Sequence, residues 1–206
     1  MDIYIPDLLK RLLPLALLKQ CQAIGFEKGQ YLFHQGHKPE WMFFVVSGEA
    51  ILNRTNTRGE TVILQRCKNG FVSEASLFTD IYHCDAIASQ TAQTIRLPIS
   101  SFRKALEEPE FALRWTQLLS KEIMRLRTAS ERLTLKDIPS KLIHLIKTEG
   151  KEGVFNIQTD LKSLASEIGV THEALYRTIA AMERNGALKK YANHLELLVK
   201  IEGEIK

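Results

Sequence analysis

Apolar residues change their period three times along this chain. Over residues 1 to about 24, Leu8, Leu9, Leu12, Leu13, Leu15, Leu17 and Leu18 surround Pro14, a pattern that predicts helix. From Phe26 to about Pro98, short β-like runs alternate with Gly29, Gly36, Gly48, Gly59 and Gly70. This alternation predicts a small antiparallel barrel or roll, with the glycines supplying turn geometry rather than a phosphate cradle. From Ser100 to about Leu135 a helical period returns. Phe111, Trp115, Leu118, Leu119, Ile123, Leu126, Ser130 and Leu133 form a narrow stripe, and Arg114, Lys121, Arg125, Arg127 and Arg132 lie largely off it. A helix of that length with a narrow stripe is best used as a seam against a partner helix. The alternative is an amphipathic helix packed on its own roll.

The period changes again after Lys136. Asp137 is placed as an N-cap, with Pro139 tolerated in the first turn, and Leu142, Ile143, Leu145 and Ile146 form the packing face. Lys151-Glu152-Gly153 predicts a hairpin turn leading into a short strand over Val154–Ile157. The stretch Thr159 to Ile179 then predicts two short helices: Leu161, Leu164, Ala165 and Ile168 on the first, Leu175 and Ile179 on the second. Gly169 supplies the turn between them and Thr171 caps the second helix. Gly186-Ala187-Leu188 leads to a last strand over His194–Val199. The whole predicts a winged helix-turn-helix, whose second helix would present His172, Glu173, Tyr176 and Arg177 to a DNA major groove. Glutamate can accept from cytosine N4, and arginine can grip guanine O6 and N7. The bland alternative for Glu173 and Arg177 is a solvated i,i+4 pair. The resulting division is residues 1–110 as a sensor roll, 111–136 as a dimerisation helix and hinge, and 137–206 as the DNA-binding domain.

Composition narrows the class without naming it. With 206 residues, 45% hydrophobic and 25% charged, the chain has the make-up of an ordinary globular protein. Its longest apolar run, Trp41 to Val46, is too short to span a bilayer, and the start at Met1-Asp2-Ile3-Tyr4 lacks the pattern of a secretion signal. Three scattered cysteines do not make a disulfide framework, so a cytoplasmic location is expected. The net charge of +4 permits a polyanion partner but does not demand one. Between Asp160 and Lys190, Lys162, Arg177, Arg184, Lys189 and Lys190 face Asp160, Glu167, Glu173 and Glu183. DNA affinity would therefore come from a few placed contacts, doubled by dimerisation.

In this order (roll, long helix, hinge, winged helix-turn-helix) nearly the whole chain resembles the cyclic-AMP receptor/FNR family of bacterial transcription regulators. The more specific part of the likeness is the glycine framework Gly29-Gln30-Tyr31-Leu32-Phe33-His34-Gln35-Gly36, followed by Met42-Phe43-Phe44-Val45-Val46-Ser47-Gly48. The resemblance implies an α+β fold: an N-terminal β-roll of the cyclic-nucleotide-binding jelly-roll type, a long dimerisation helix and a C-terminal winged helix-turn-helix. It implies Glu173 and Arg177 as base readers, with Thr171 and His172 as phosphate or base contacts. It also implies a homodimer through the 111–135 helix, double-stranded DNA carrying a pseudo-palindromic operator as partner, and RNA polymerase as a second partner. Tyr176 stands where relatives often carry a small residue.

The effector pocket departs from the family pattern. In nucleotide binders an acid contacts the ribose, and an Arg-Ser pair follows. Here Ser73-Glu74-Ala75-Ser76-Leu77-Phe78 keeps the acid as Glu74, but the pair falls on Cys84-Asp85. A cyclic phosphate needs a cation and hydrogen-bond donors. Cys84 brings no charge, and Asp85 is expected to add a second carboxylate near Glu74. The Thr-Ser pair that meets adenine in those relatives becomes Ala129-Ser130. Cyclic AMP is therefore not the expected ligand. Gln65, Cys67, Ser73, Glu74, Cys84, Asp85 and Ser130 make the candidate pocket. Cys67 and Cys84 have three readings: small buried hydrophobes, a thiol pair responding to oxidants or sulfur species, or ligands with His83 to haem or a metal. An iron–sulfur cluster needs about four thiolates, and Cys21 is the only other cysteine. No cofactor follows from the sequence. His34 and His37 are expected in a surface turn and His144 in a structural role. Two rivals stand beside the regulator: an enzyme built on Glu74, His83 and Cys84, for which no catalytic motif speaks, and a sensor module for a small ligand, metal or haem that acts through a protein partner.

Overall fold

The computed structural model describes residues 4–55, 58–59, 61–157 and 160–198. Thr159 and Val199, named above at the ends of expected elements, lie outside these residues. The chain divides into two compact units, Met1–Leu118 and Leu119–Lys206. Each has its own core.

The first unit opens with α1 (Asp7–Leu12) and α2 (Leu15–Leu18), separated by the extended Leu13-Pro14 step, with Pro14 as the N-cap of α2. The helical reading to about residue 24 is corrected here, because Gln22–Phe26 forms strand β1. Its partner is far along the chain, Gln22 facing Arg96 and Phe26 facing Ala92, and no local pattern reveals such pairing. Seven more strands follow: β2 (Tyr31–Phe33), β3 (Trp41–Ser47), β4 (Ala50–Thr55), β5 (Thr61–Cys67), β6 (Gly70–Phe71), β7 (Asp85–Ala88) and β8 (Ala92–Pro98). They make two antiparallel four-stranded sheets, in the orders β1-β8-β3-β6 and β2-β7-β4-β5. The inner faces meet in one core built from Phe43 and Val45 on one side and Phe33, Leu52, Cys67, Ala86 and Ala88 on the other.

The first sheet is also covered from outside. The helices α3 (Ile99–Ala105) and α4 (Pro109–Thr134) follow β8 directly. Phe71 meets Phe44 edge-on at 5.0 Å and Trp115 at 5.1 Å, while Phe102 meets Trp115 at 4.8 Å and Phe111 at 5.3 Å. Burial on both faces is why β3 reads as an unbroken apolar run instead of alternating. The stripe on the long helix therefore does two jobs. Phe111 and Trp115 are buried, whereas Ile123, Leu126 and Leu133 are about half exposed.

Four of the five turn glycines have positive φ; the fifth, Gly70, does not, and Asn69 adopts the left-handed conformation in its place. Gly48 is the most constrained, since a Cβ there would collide with the Thr91 carbonyl oxygen and stand 2.7 Å from Ala92 Cα.

The second unit holds α5 (Ile138–Glu149), β9 (Val154–Asn156), α6 (Leu161–Glu167), α7 (His172–Arg184), β10 (Leu188–Lys190) and β11 (His194–Leu197). The Asp137 carboxylate accepts from the Ser140 amide at 2.8 Å, which is the expected cap. Glu152 and Gly153, with φ of 53° and 82°, form the tight turn of a primed hairpin bridged by Lys151 and Val154. The strands pair in the order β10-β11-β9, and Leu142, Leu145, Ile146, Leu164, Ile168, Leu175, Ile179 and Leu195 share the core. Arg132 departs from its expected solvated position. It is 1% exposed and donates from Nη2 to the Glu149 carboxylate, so the last turn of α4 is pinned to the end of α5. Only the Arg132 side of this pair is buried; Glu149 reaches solvent, so removing the carboxylate would leave a buried guanidinium without its charged partner.

Replacing Gly29 by alanine meets no atom within 4 Å and costs only the left-handed backbone term, about 1–2 kcal/mol. Gly48→Ala adds the collision and should cost at least about 3 kcal/mol. Urea unfolding of the two variants checks this, and equal losses would contradict the packing described.

Candidate DNA-reading surface and effector pocket

The reading surface is built by three local devices. Asp160 caps α6 by accepting from the Ser163 amide at 2.6 Å. Gly169 then turns the chain with φ of 69°, and the Val170 amide donates to the Ala165 carbonyl at 2.9 Å. The Thr171 hydroxyl accepts from the Ala174 amide at 3.2 Å and starts α7. A fourth device comes from outside the hairpin: Lys141, itself buried, donates from Nζ to the Ile168 carbonyl at 3.1 Å and satisfies the end of α6.

With Leu175, Ile179 and Met182 buried, α7 can turn only one face outward. That face carries Glu173, Tyr176 and Arg177 as expected, and continues through Ala180 to Arg184, all exposed. His172 is half-buried beside it. The Glu173 carboxylate is held below the usual carboxylate range, first by its own backbone N–H and then by the Thr171 hydroxyl, with His172 and Lys162 contributing. It therefore stays ionised at the positive end of the α7 dipole. The Tyr176 ring is held on two sides, by the edge of His172 at 4.5 Å and by the Lys190 ammonium at 5.3 Å from its centroid. The backbone of Lys190 is held in turn, because its amide donates to Glu183 Oε1 at 2.9 Å. The sequence pattern names neither Arg184 nor Lys190 as site residues. The helical spacing 173, 177, 184 pointed to the first; the second depends on strand pairing.

The roll brings Glu74 and Asp85 close enough to Cys84 for both carboxylates to act on its thiol. Cys67 and Cys84 are both buried in the core, and Gln65 shares the inner side of β5 with Cys67, facing Leu52 and Ala50 respectively on β4. Glu74 begins a short 3₁₀ turn, Glu74–Ser76, and Ser76 Oγ lies 3.2 Å from His83 Nδ1. Three more of the candidate residues have engagements or places of their own. Ser73 is spent on structure, its hydroxyl accepting from the Phe43 amide at 2.9 Å. Asp85 turns its carboxylate to the Gln35 amide at 2.8 Å and to His34 at 3.5 Å. It is thereby committed to the turn after β2. Ser130 is exposed on the part of α4 that belongs to the second unit.

A cation that the sequence pattern does not point to is also present. Arg54 donates from Nε and Nη2 to the His83 carbonyl at 3.1 and 2.6 Å. Only the register of β4 against β7, Asn53 facing Asp85, brings it there. Among the described residues no group of three His, Cys, Asp or Glu side chains converges as a metal site would require. His34 is an exposed turn residue stacked on Tyr31, and half-buried His144 lies 3.6 Å from Glu131.

Burial pushes the Cys84 thiol up to about 11, against a smaller opposing pull from Arg54. The native thiol is thus protonated near neutrality and has no access to solvent, the opposite of a reactive cysteine. Because the unfolded thiol ionises near 9 and the folded one only near 11, this group stabilises the fold fully below pH 9 and loses that contribution as pH rises towards 11. Native protein at pH 8 should leave Cys84 unalkylated by iodoacetamide until denaturant is added. Rapid native labelling, located by peptide mass, would contradict this state.

Residues 24–108 match the cyclic nucleotide-binding domain. A global nitrogen regulator of Synechococcus elongatus is 31% identical over 180 residues, covering 80% of each chain. A CRP-like cAMP-activated global transcriptional regulator of Mycobacterium tuberculosis is 22% identical over 188 residues, covering 84% of this chain and 83% of its own. Among solved structures, FixK2 from Bradyrhizobium japonicum superposes with a TM-score of 0.63 at 15% identity, over 87% of this chain and 93% of that one. CprK complexed with OCPA does so with a TM-score of 0.65 at 19% identity, over 94% and 92%. Both likenesses show a shared fold. The chain belongs to the cyclic-AMP receptor/FNR family of bacterial transcription regulators.

Proposed function

We propose that this chain is a homodimeric, sequence-specific DNA-binding regulator whose two α7 helices enter successive major grooves of a pseudo-palindromic operator. The observation that carries this reading is the outward face of α7, where capped Glu173, Tyr176 and Arg177 stand together on a helix whose other face is locked into the core. Thr171 and His172, at the start of that helix, act on phosphate or base edges. The partner for dimerisation is a second copy, joined along α4, because Ile123, Met124, Leu126 and Leu133 remain exposed on its outer part. RNA polymerase, a cytoplasmic setting and the absence of catalysis come with the family reading.

The effector is of a class other than cyclic AMP. Supporting this, the residues at the phosphate-binding positions are a buried neutral thiol, Cys84, and Asp85, already engaged by Gln35 and His34. Arg54 offers a positive charge nearby, but two of its donors are used by the His83 carbonyl. The buried, protonated state of Cys84 favours packing over thiol sensing as the role of this residue.

Arg177→Ala should weaken binding to a selected operator by about 1–3 kcal/mol and relax one base position in each half-site. Selection on random duplexes with no nucleotide added, for wild type and variant, measures both. Equal affinity of the two proteins for selected and scrambled DNA would sink the assignment.

A further inference from the structure

We infer that Tyr176 is a specificity-determining residue of the reading helix, and that it recognises the 5-methyl group of a thymine beside the base pair met by Arg177. The inference deepens the DNA-binding reading and rests on it. Tyr176 and Arg177 are neighbours on the outward face of α7. A tyrosine there is bulky and 43% exposed, on a helix face that is otherwise short or charged: Glu173, Arg177, Ala180 and Arg184.

Its ring also has two neighbours that favour one orientation. The His172 ring meets it edge to face at an interplanar angle of 71°, and the Lys190 ammonium lies over it. Lys190 is in turn anchored through its amide to Glu183, on the same helix as Tyr176. Two elements, the start of α7 and strand β10, therefore each place one group against this aromatic side chain. A cation over an aromatic face at this range is worth about 0.5–1 kcal/mol at exposed sites, enough to bias one rotamer.

What such a ring can read follows from the major groove. The groove offers donors and acceptors from every base pair, but only thymine places an apolar group there, its C5 methyl. An aromatic ring fixed before contact gains from that methyl without losing side-chain entropy on binding. The phenol hydroxyl is not required for this contact, which separates it from hydrogen-bond reading.

The test uses full-length protein and its selected operator, with each thymine of one half-site replaced in turn by deoxyuridine. This substitution removes the methyl and leaves every hydrogen-bonding group. Wild type should lose about fourfold in affinity at one position, the worth of burying one methyl group. Tyr176→Phe should keep that ratio and Tyr176→Ser should bring it to one, while both retain the wild-type unfolding transition. Indifference of wild type to deoxyuridine at every position, or an unchanged ratio in Tyr176→Ser, overturns the inference and leaves DNA reading intact. Failure of wild type to select any motif overturns both.

Discussion

The edge-to-face cluster of Phe44, Phe71, Phe102 and Trp115 is the interaction on which the first unit depends. It joins strands β3 and β6 to helices α3 and α4 through ring contacts of 4.8 to 6.4 Å. Such pairs contribute about 0.5–1.5 kcal/mol each beyond the area they bury. Their larger effect is geometric. With Phe43 and Val45 facing into the roll and Met42 and Phe44 facing the helices, β3 cannot slip by one residue without exchanging two different buried environments. The strand that carries the second half of the family's sequence framework is thus also held in register from both faces. The chain can then leave β8 directly into α3, with the start of α4 already seated.

The second unit is organised differently, by polar groups at element ends. Asp137, Asp160 and Thr171 each cap a helix, and Lys141 closes the far end of α6. Lys141 and Arg132 are both buried cations, which a core of this size tolerates only with partners in place. Lys141 has a carbonyl and Arg132 a carboxylate. Lys141 lies at the turn at Gly169, where its Nζ would stand 3.9 Å and the Leu133 side chain 3.0 Å from an added Cβ, and Arg132 holds the neighbouring end of α4 to α5. The turn before the reading helix is therefore bounded by backbone geometry, by a cation and by the last turn of α4. Apolar packing alone would leave such short helices, α6 with seven residues and α7 with thirteen, free to change their angle.

Much of this was legible in the sequence because it is local. Gly169, Thr171 and Asp137 act on residues within four positions of themselves, and the apolar period of α7 decides which face is outward. The same holds for the Glu152–Gly153 turn. What was not legible depends on pairing at long range. Strand β1 is made by a partner more than sixty residues away, so its leucine-rich preamble reads as continuing helix. Ser73 looks like a pocket hydroxyl until the Phe43 amide is seen to claim it. Asp85 acts on Cys84 together with Glu74, but its carboxylate also accepts from the Gln35 amide, a bond that exists only because β7 pairs with β2. Arg132 has a related cause: a helix period marks a charged residue as outward, but not when another element arrives to cover it. Arg54 stays exposed and reaches the His83 carbonyl only through the register of β4 against β7. The long stripe on α4 was legible as a stripe, while its division into a covered start and an exposed remainder depends on where α3 lies.

Formal charge misleads about the reading surface for a related reason. Counted along residues 160 to 190, five basic residues oppose four acidic ones, which gives almost no field to attract a polyanion. Position changes this balance. Glu173 lies in the first turn of α7, where the unpaired amides and the helix dipole offset its charge. Glu183 is turned towards the β10 amide of Lys190. Arg177 and Arg184 are fully outward, and Lys190 stands over Tyr176 at the edge of the same face. A phosphate approaching α7 therefore meets the basic groups first, although the tally is nearly even. On the proposed reading, such a surface would attract DNA weakly at a distance and discriminate at contact. It would suit the proposed recognition through two symmetric copies better than a single strongly basic patch, because duplicating a short-range contact raises affinity without raising non-specific attraction in proportion.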